Sequence, residues 1–160
     1  MEISVGVAWI DLKGVQEMVA CEKSGVLFTC DPVAQDSTRC VVNAVHGLGE
    51  GLVSGALDAD QFVLEKATGQ LIEQEIARKE TQVESAKHSG IETCAVPIDL
   101  QETPVLNLDE LKLLVLLGRQ VEAFYQYPQD IEWGKCGDEL VLLQSRPVTS
   151  PMMDPAGKLF

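Results

Sequence analysis

The chain has few basic residues, few histidines and few aromatic side chains. It carries 12 Lys and Arg against 25 Asp and Glu, which gives a formal net charge of −13, and it has only 2 histidines. So acidic a surface repels nucleic acid and anionic membranes at long range, and neither is expected as a partner. Nucleotide binding is still compatible with this charge, because local donors and a bound metal can hold phosphates on an acidic protein.

Long apolar runs, paired cysteines and a secretory leader are also missing. No run approaches the ~20 apolar residues that a membrane-spanning helix needs, and the first residues have no basic segment ahead of an apolar one. The five cysteines form no CxxC pair, so their spacing predicts neither a disulfide framework nor a zinc site. We therefore expect a cytoplasmic protein of one folded domain, with reduced cysteines.

Short β-type runs dominate the first half of the chain. Strands are predicted at residues 14–19, 24–32 and 39–45 and within a hairpin at 60–76. Residues 77–106 are dense in charge and poor in large apolar side chains, which predicts a mobile connector with one short strand near 93–98. We expect proteolysis to begin in this connector, after Arg78, Lys79 or Lys87.

One long helix is predicted, from about Leu108 to Tyr125. Asn107 can cap its start, and Glu110 stands where the acidic partner of a capping box belongs. Apolar residues recur along it at spacings of three and four, as in a helix that faces a core. Gly118 interrupts this stripe at a cost of about 1 kcal/mol against alanine, so we expect another element to pack closely there.

A glycine-rich stretch, HGLGEGLVSG at residues 46–55, follows the third predicted strand. It does not have the GxGxxG spacing, and it lacks the Lys-Ser/Thr of a P-loop. Two interpretations stay open on spacing alone. It is either a flexible turn or a ligand loop whose backbone amides approach a nucleotide, with Glu50 accepting ribose hydroxyls.

Four polar side chains stand out in DIEWGKCGDELVLLQSRPV, residues 130–148. Alternation places Asp130 and Glu132 on one face of a strand, and Gln144 and Arg146 share a face of the returning strand. Glu132 and Gln144 would suit Mg²⁺, which prefers oxygen ligands and keeps waters and phosphates as the rest. Arg146 would hold a phosphate. The alternative is a surface hairpin with a cross-strand Asp–Arg pair, worth less than ~1 kcal/mol.

The two interpretations of this hairpin differ in strand register. A shared metal requires Glu132 to lie opposite Gln144, and that pairing predicts an odd-length loop centred on Asp138. The rival is a two-residue turn made by Gly137 and Asp138, a common connection with glycine first. It would set Glu132 opposite Leu143 and turn Gln144 to the other face of the sheet.

Five ordered blocks of the sequence resemble a known enzyme region. They are VQEMV with SGVLFTCDPV, VVNAVHGLGEGLVSG, FVLEKATG and PQDIEWG, followed by LVLLQSRPVT. Together they resemble the ATP-binding region of phosphoenolpyruvate synthase (pyruvate, water dikinase), which pyruvate phosphate dikinase and rifampicin phosphotransferase share. The resemblance covers residues 14–150, whereas the segments 1–13 and 151–160 match poorly.

The resemblance implies an α+β fold, one lobe of an ATP-grasp-like nucleotide-binding domain, with a mostly antiparallel sheet and the helix near 108–125. It implies Mg²⁺ as cofactor and ATP as substrate, with Glu132 and Gln144 as metal ligands and Arg146 as the catalytic contact to the phosphates. The ATP-binding positions that it implies are Gln16, Met18, Glu50, Asp130 and Arg146.

In that family, phosphate passes from ATP to a carrier histidine on another domain and then to pyruvate in a barrel domain. The first ATP-grasp lobe, the phosphohistidine domain and the barrel have no counterpart in this sequence. We therefore expect part of an enzyme that binds ATP weakly and is inactive alone. The alternatives are a non-catalytic nucleotide-binding or interaction module, or the same part of a rifampicin phosphotransferase or pyruvate phosphate dikinase.

Overall fold

The computed structural model describes residues 20–53, 55, 57–86 and 90–149. The elements in chain order are β1 Lys23–Phe28, β2 Arg39–His46, α1 Glu50–Val53, β3 Asp60–Glu65, β4 Leu71–Glu75, β5 Thr81–Ser85, β6 Ile91–Ala95, α2 Leu108–Tyr125, β7 Gln129–Cys136 and β8 Glu139–Pro147. The strand predicted at 14–19 lies outside the described residues. Within those residues, no helix has the length and apolar character needed to cross a membrane.

Six of the strands form one sheet in the order β4-β3-β2-β1-β7-β8. Every neighbouring pair is antiparallel. Antiparallel strands can be joined by short turns, as β7 and β8 are. The first described strand, β1, lies between β2 and β7 and so joins the two halves of the chain. A mostly antiparallel sheet with one long helix confirms the predicted α+β class.

One face of this sheet packs against α2. Leu27, Val42, Phe62 and Ile131 lie side by side on four neighbouring strands, and all four are fully buried. They form a single core with buried residues of α2, among them Leu114. Burial of such side chains contributes about 1.5–3 kcal/mol each, which makes this face the main source of stability.

The helix begins and ends as predicted, at Leu108 and Tyr125. The predicted capping box is present, because Asn107 accepts from the backbone N–H of Glu110 at 2.9 Å and Glu110 accepts in return from the Asn107 N–H at 2.9 Å. Gly118 does pack closely, since a Cβ there would lie 2.8 Å from Cδ2 of Leu27. The glycine thus lets α2 approach β1.

The prediction of a mobile connector at 77–106 is wrong in two respects. First, β5 and β6 pair into a two-stranded antiparallel sheet, although the predicted short strand does overlap β6. Second, Lys79 is buried and donates to Asp60 Oδ1 at 2.5 Å and to the Ala77 carbonyl at 2.8 Å. Cleavage after Lys79 is therefore not expected. Charge density failed as a guide because it does not distinguish a solvated lysine from a buried, paired one.

The connection between β7 and β8 also differs from the prediction. Cys136 pairs with Glu139, so the turn has two residues, Gly137 and Asp138, and the predicted odd-length loop is wrong. Gly137 has a φ of 59°, and Asp138 is not among the described residues with positive φ. This combination is typical of a type II′ hairpin turn, whose twist matches that of the strands.

Candidate functional site

A row of side chains, polar except for Val26, crosses the sheet face that lies opposite α2. Strand pairing aligns Gln61, Asn43, Val26, Glu132 and Gln144 across β3, β2, β1, β7 and β8. Residues that face each other across antiparallel strands share one face of the sheet. Asn43 and Glu132 are half-buried and Gln144 is exposed, so polar groups on three strands are accessible on one surface.

A β-bulge brings Glu132 opposite Gln144 in spite of the two-residue turn. Near the turn, Trp133 pairs with Leu142, but the register shifts between Trp133 and Glu132, and Glu132 then pairs with Gln144. The bulge gives β8 the one extra residue, Leu143, that the turn does not supply. The predicted facing pair is therefore confirmed, although the predicted loop is not.

A second pair lies beside the first on the same face. Asp130 is directly opposite Arg146, and Arg146 Nε donates to Asp130 Oδ2 at 2.8 Å. The side chain of Asp130 is 11% exposed and that of Arg146 is 57% exposed. The hydrogen bond to Asp130 and its negative charge raise the pKa of Arg146. Because the bond uses only Nε, the two Nη groups are left to donate elsewhere.

The other carboxyl oxygen of Asp130, Oδ1, is a candidate contact for a cation or for a hydrogen-bond donor of a ligand. Asp130 Oδ1 is buried, and it has no hydrogen-bond partner among the residues that the structure describes. Buried acceptors in native proteins are normally satisfied, so an unmet oxygen here is evidence of a missing partner. We call the surface formed by Asn43, Asp130, Glu132, Gln144 and Arg146 the polar face.

The polar face offers two oxygen atoms that could supply part of a metal's coordination shell. The described part of the chain has no group of three or more His, Cys, Asp or Glu that could hold a metal by itself. Glu132 and Gln144 provide two oxygen ligands on facing positions. That set fits Mg²⁺, which is commonly bound by one or two protein oxygens together with water and substrate phosphates.

The glycine-rich loop after β2 meets the same side of the sheet. Ser24 points to the side of the polar face because it is two residues from Val26, and its Oγ donates to the Gly47 carbonyl at 2.6 Å. A Cβ on Gly49 would lie 3.3 Å from that Oγ. Gly47 itself has a φ of 73°, which glycine adopts without strain. The loop is therefore held against the sheet by specific contacts.

Four of the predicted site residues come together on the polar face. Asp130, Glu132, Gln144 and Arg146 occupy two facing pairs on β7 and β8. Glu50 is exposed at the start of α1, in the glycine-rich loop that follows β2, and its place near the nucleotide stays a prediction. The remaining two predicted residues, Gln16 and Met18, lie outside the described residues.

The sequence analysis missed Asn43. It lies in the same row as Glu132 and Gln144, on β2. A signal was available, because Asn43 interrupts the apolar run RCVVNAV and asparagine is depleted in strands. A polar residue in the middle of a central strand needs a hydrogen-bonding role, in the protein or with a ligand.

Comparison with known proteins identifies the family of the chain. Residues 13–157 match the family described as "Pyruvate phosphate dikinase, AMP/ATP-binding domain". The chain is 38% identical over 136 residues to the "Probable phosphoenolpyruvate synthase" of Methanocaldococcus jannaschii, 40% identical over 136 residues to the "Rifampicin phosphotransferase" of Bacillus subtilis, and 38% identical over 144 residues to the "Phosphoenolpyruvate synthase" of Pyrococcus furiosus.

Each of these alignments covers 85% of this chain but only 11%, 16% and 18% of the respective relatives. The chain thus spans less than a fifth of the length of these relatives. The family match, in contrast, extends over nearly all of the 160 residues. With its α+β, ATP-grasp-like fold, the chain belongs to the pyruvate phosphate dikinase AMP/ATP-binding domain family.

Proposed function

We propose that this chain is the Mg-ATP-binding part of a phosphoenolpyruvate synthase-type phosphotransferase. In the whole enzyme, phosphate would pass from ATP to a carrier histidine on another domain and then to pyruvate. The observation that carries the proposal is the pairing of Glu132 with Gln144 next to Asp130 with Arg146. The names of the relatives support the same reaction class.

Each residue of the two pairs has a distinct role in this proposal. Glu132 and Gln144 would bind Mg²⁺ through their side-chain oxygens, and the bound ion would neutralise phosphate charge. Arg146 would donate from its Nη groups to phosphate oxygens, where a guanidinium fork binds well. Asp130 would hold the fork in position through Nε, since that hydrogen bond is already formed without ligand.

The rest of the nucleotide would extend along the polar face and past the glycine-rich loop. Asn43 would donate or accept a hydrogen bond two strands away from Glu132 in the same row. By the family resemblance, Gln16 and Met18 would lie near the adenine and Glu50 near the ribose. We assign residues 14–150 to this lobe and leave 1–13 and 151–160 outside it.

The proposal also requires partners that lie outside this lobe. An ATP-grasp-like site encloses ATP between two lobes, so the polar face would meet the first lobe of the enzyme across the nucleotide. This chain alone would bind Mg-ATP weakly and would not turn it over. Rifampicin is the alternative acceptor, because a rifampicin phosphotransferase is 40% identical to the chain, as near as the phosphoenolpyruvate synthases.

Calorimetric titration with ATP tests the site. We expect binding that needs Mg²⁺ and that weakens about tenfold or more in Glu132→Gln and Gln144→Ala, since tenfold corresponds to about 1.4 kcal/mol, the scale of one good polar contact. Gln120→Ala, on the exposed side of α2, is the matched control and should bind as the parent chain does.

Two results would overturn the proposal. One is ATP binding that is unchanged by EDTA and by both site variants. The other is steady release of AMP or ADP by the purified chain that Glu132→Ala abolishes, because one lobe would then be a complete catalyst.

A further inference from the structure

Two cysteines that are 115 residues apart in sequence are in contact in the fold. The Sγ atoms of Cys21 and Cys136 are 2.9 Å apart. Cys21 precedes β1 and is buried, whereas Cys136 ends β7 and is half-buried. The strands beside them are joined by a hydrogen bond of 3.0 Å from the Glu22 N–H to the Lys135 carbonyl. Both thiols are free.

The sequence at neighbouring positions makes room for this contact. Glu132, Gly134 and Cys136 alternate along β7 and so belong to the side of the sheet that carries the polar face. A Cβ on Gly134 would clash with Cys21 Sγ, so only glycine at that position admits the buried sulfur. The contact therefore depends on three positions, two on β7 and one in the segment just before β1.

We propose that Cys21 and Cys136 form a reversible disulfide, a redox modification site at the border of the polar face. A disulfide bond is about 2.05 Å long, so the two sulfurs need to approach by less than about 1 Å, which is a small movement for side chains on paired strands. The other three cysteines are not part of this site: Cys30 and Cys40 are buried elsewhere in the fold, and Cys94 lies on β6 of the small sheet.

Hydrogen peroxide is the oxidant that we assign to the site. The more accessible Cys136 sulfur attacks one peroxide oxygen, the O–O bond breaks, and a sulfenic acid and water result. The Cys21 sulfur then attacks the sulfenic sulfur, the S–S bond forms, the S–O bond breaks, and a second water leaves with the Cys21 proton. The two thiols lose two electrons and two protons, and the peroxide gains both.

The environments of the two sulfurs support this order of events. Burial and the hydrogen bond with Cys136 raise the pKa of Cys21 to about 12, so Cys21 is a poor first nucleophile. It needs no long-lived thiolate as the second one, because it already touches the sulfur that it attacks. A dithiol reductant reverses the bond by thiol–disulfide exchange.

Peroxide treatment followed by alkylation and mass spectrometry tests the proposal. Two of the five thiols should become resistant to alkylation, with a mass lower by two hydrogens, a cross-linked peptide pair containing Cys21 and Cys136, and full reversal by dithiothreitol. The oxidised chain should melt on the order of 10 °C higher, because the bond closes a loop of 115 residues. The readouts concern thiols and are independent of nucleotide binding.

Matched variants decide the outcome. Cys94→Ser removes another half-buried cysteine and should leave the cross-link unchanged. Cys136→Ser, at a half-buried position, should keep the fold and abolish both the mass loss and the rise in melting temperature. The proposal is overturned if all five thiols of the oxidised chain still react, or if Cys136→Ser forms the same two-hydrogen product.

Discussion

The two faces of the six-stranded sheet use alternate residues of the same strands and differ in what those residues do. On β7, Ile131 and Trp133 point to α2 and are fully buried, while Asp130 and Glu132 point to the polar face. Packing explains the apolar side chains of the face toward α2, although the indole Nε1 of Trp133 is buried there without a hydrogen-bond partner among the described residues. The polar face instead leaves a carboxyl oxygen, Asp130 Oδ1, buried without a partner in the described part of the chain, beside the exposed side chain of Arg146.

The same contrast appears in two acid–base pairs. Asp60 and Lys79 belong to the face toward α2 and are 0% and 1% exposed, and Asp60 also accepts from the Val105 N–H at 2.7 Å. Asp130 and Arg146 belong to the polar face, and the arginine is 57% exposed. The first pair has every feature of a structural element. The second has the exposed donor that a ligand site needs.

The largest expected effect separates these two pairs. Lys79→Ala should lower the free energy of unfolding by about 3–5 kcal/mol, because it leaves Asp60 buried without its counter-charge. Arg146→Ala should lower this free energy much less, because the arginine of this pair is exposed to water, and it should weaken Mg-ATP binding. Urea denaturation of both variants measures the first effect, and calorimetry measures the second.

The double variant Asp60→Asn with Lys79→Met is the control for that experiment. It removes both charges but keeps an amide oxygen that can accept from the Val105 N–H, so it should recover part of the stability that Lys79→Ala loses. Equal losses of stability in Lys79→Ala and Arg146→Ala would show that the two faces do not differ in the way described here.

A smaller effect tests the packing of α2 on the sheet. Gly118→Ala should destabilise the chain by about 1 kcal/mol, although alanine favours a helix by a similar amount, because the added methyl group meets buried Leu27. Gln120→Ala, two residues along on the exposed side, should be neutral or slightly stabilising. A gain in thermal stability for Gly118→Ala would contradict the close approach of α2 and β1.

The smallest effect concerns pH. Burial, followed by the nearby charge of Lys79, lowers the pKa of His46. In the unfolded chain the imidazole titrates near its ordinary pKa of about 6.5, so below that pH the unfolded state binds more protons and stability falls until the lowered pKa is passed. The melting temperature of the parent chain should therefore fall by on the order of 1–2 °C because of His46 as the pH is lowered from about 7.5 to about 5.5, and His46→Gln should abolish this fall. An identical pH dependence in the variant would contradict this role of His46.

The sequence predicted those parts of the fold whose signals are local. Both ends of the helix could be predicted, because its apolar residues recur over many turns and because Asn107 and Glu110 mark its start. The strands β5 and β6 were largely missed, since their stability depends on pairing with each other and on buried Lys79, neither of which is visible in charged, short segments.

The candidate site was predicted better by chemistry than by turn rules. A shared role for Glu132 and Gln144 predicts that they lie opposite each other, and this pairing is confirmed. The odd-length loop that was predicted to produce the pairing is wrong. The bulge that achieves it is hidden in the apolar run before Gln144, where nothing marks Leu143 as the extra residue. The position of Asn43 beside Glu132 and the contact between Cys21 and Cys136 both join segments that are distant in sequence. They could therefore be identified only from the strand pairing in the structure.

The central claim, that the polar face binds Mg-ATP, is tested most directly by nuclear magnetic resonance of the ¹⁵N-labelled chain. Asn43 and Gln144 carry side-chain NH₂ groups on that face, while Gln129 has its amide on the other side of β7, where it donates to the Tyr127 carbonyl at 3.0 Å. Titration with Mg-ATP should shift the side-chain signals of Asn43 and Gln144 and leave that of Gln129 in place, even if the affinity is low. Shifts confined to Gln129 and to α2, with Asn43 and Gln144 unmoved, would contradict the claim.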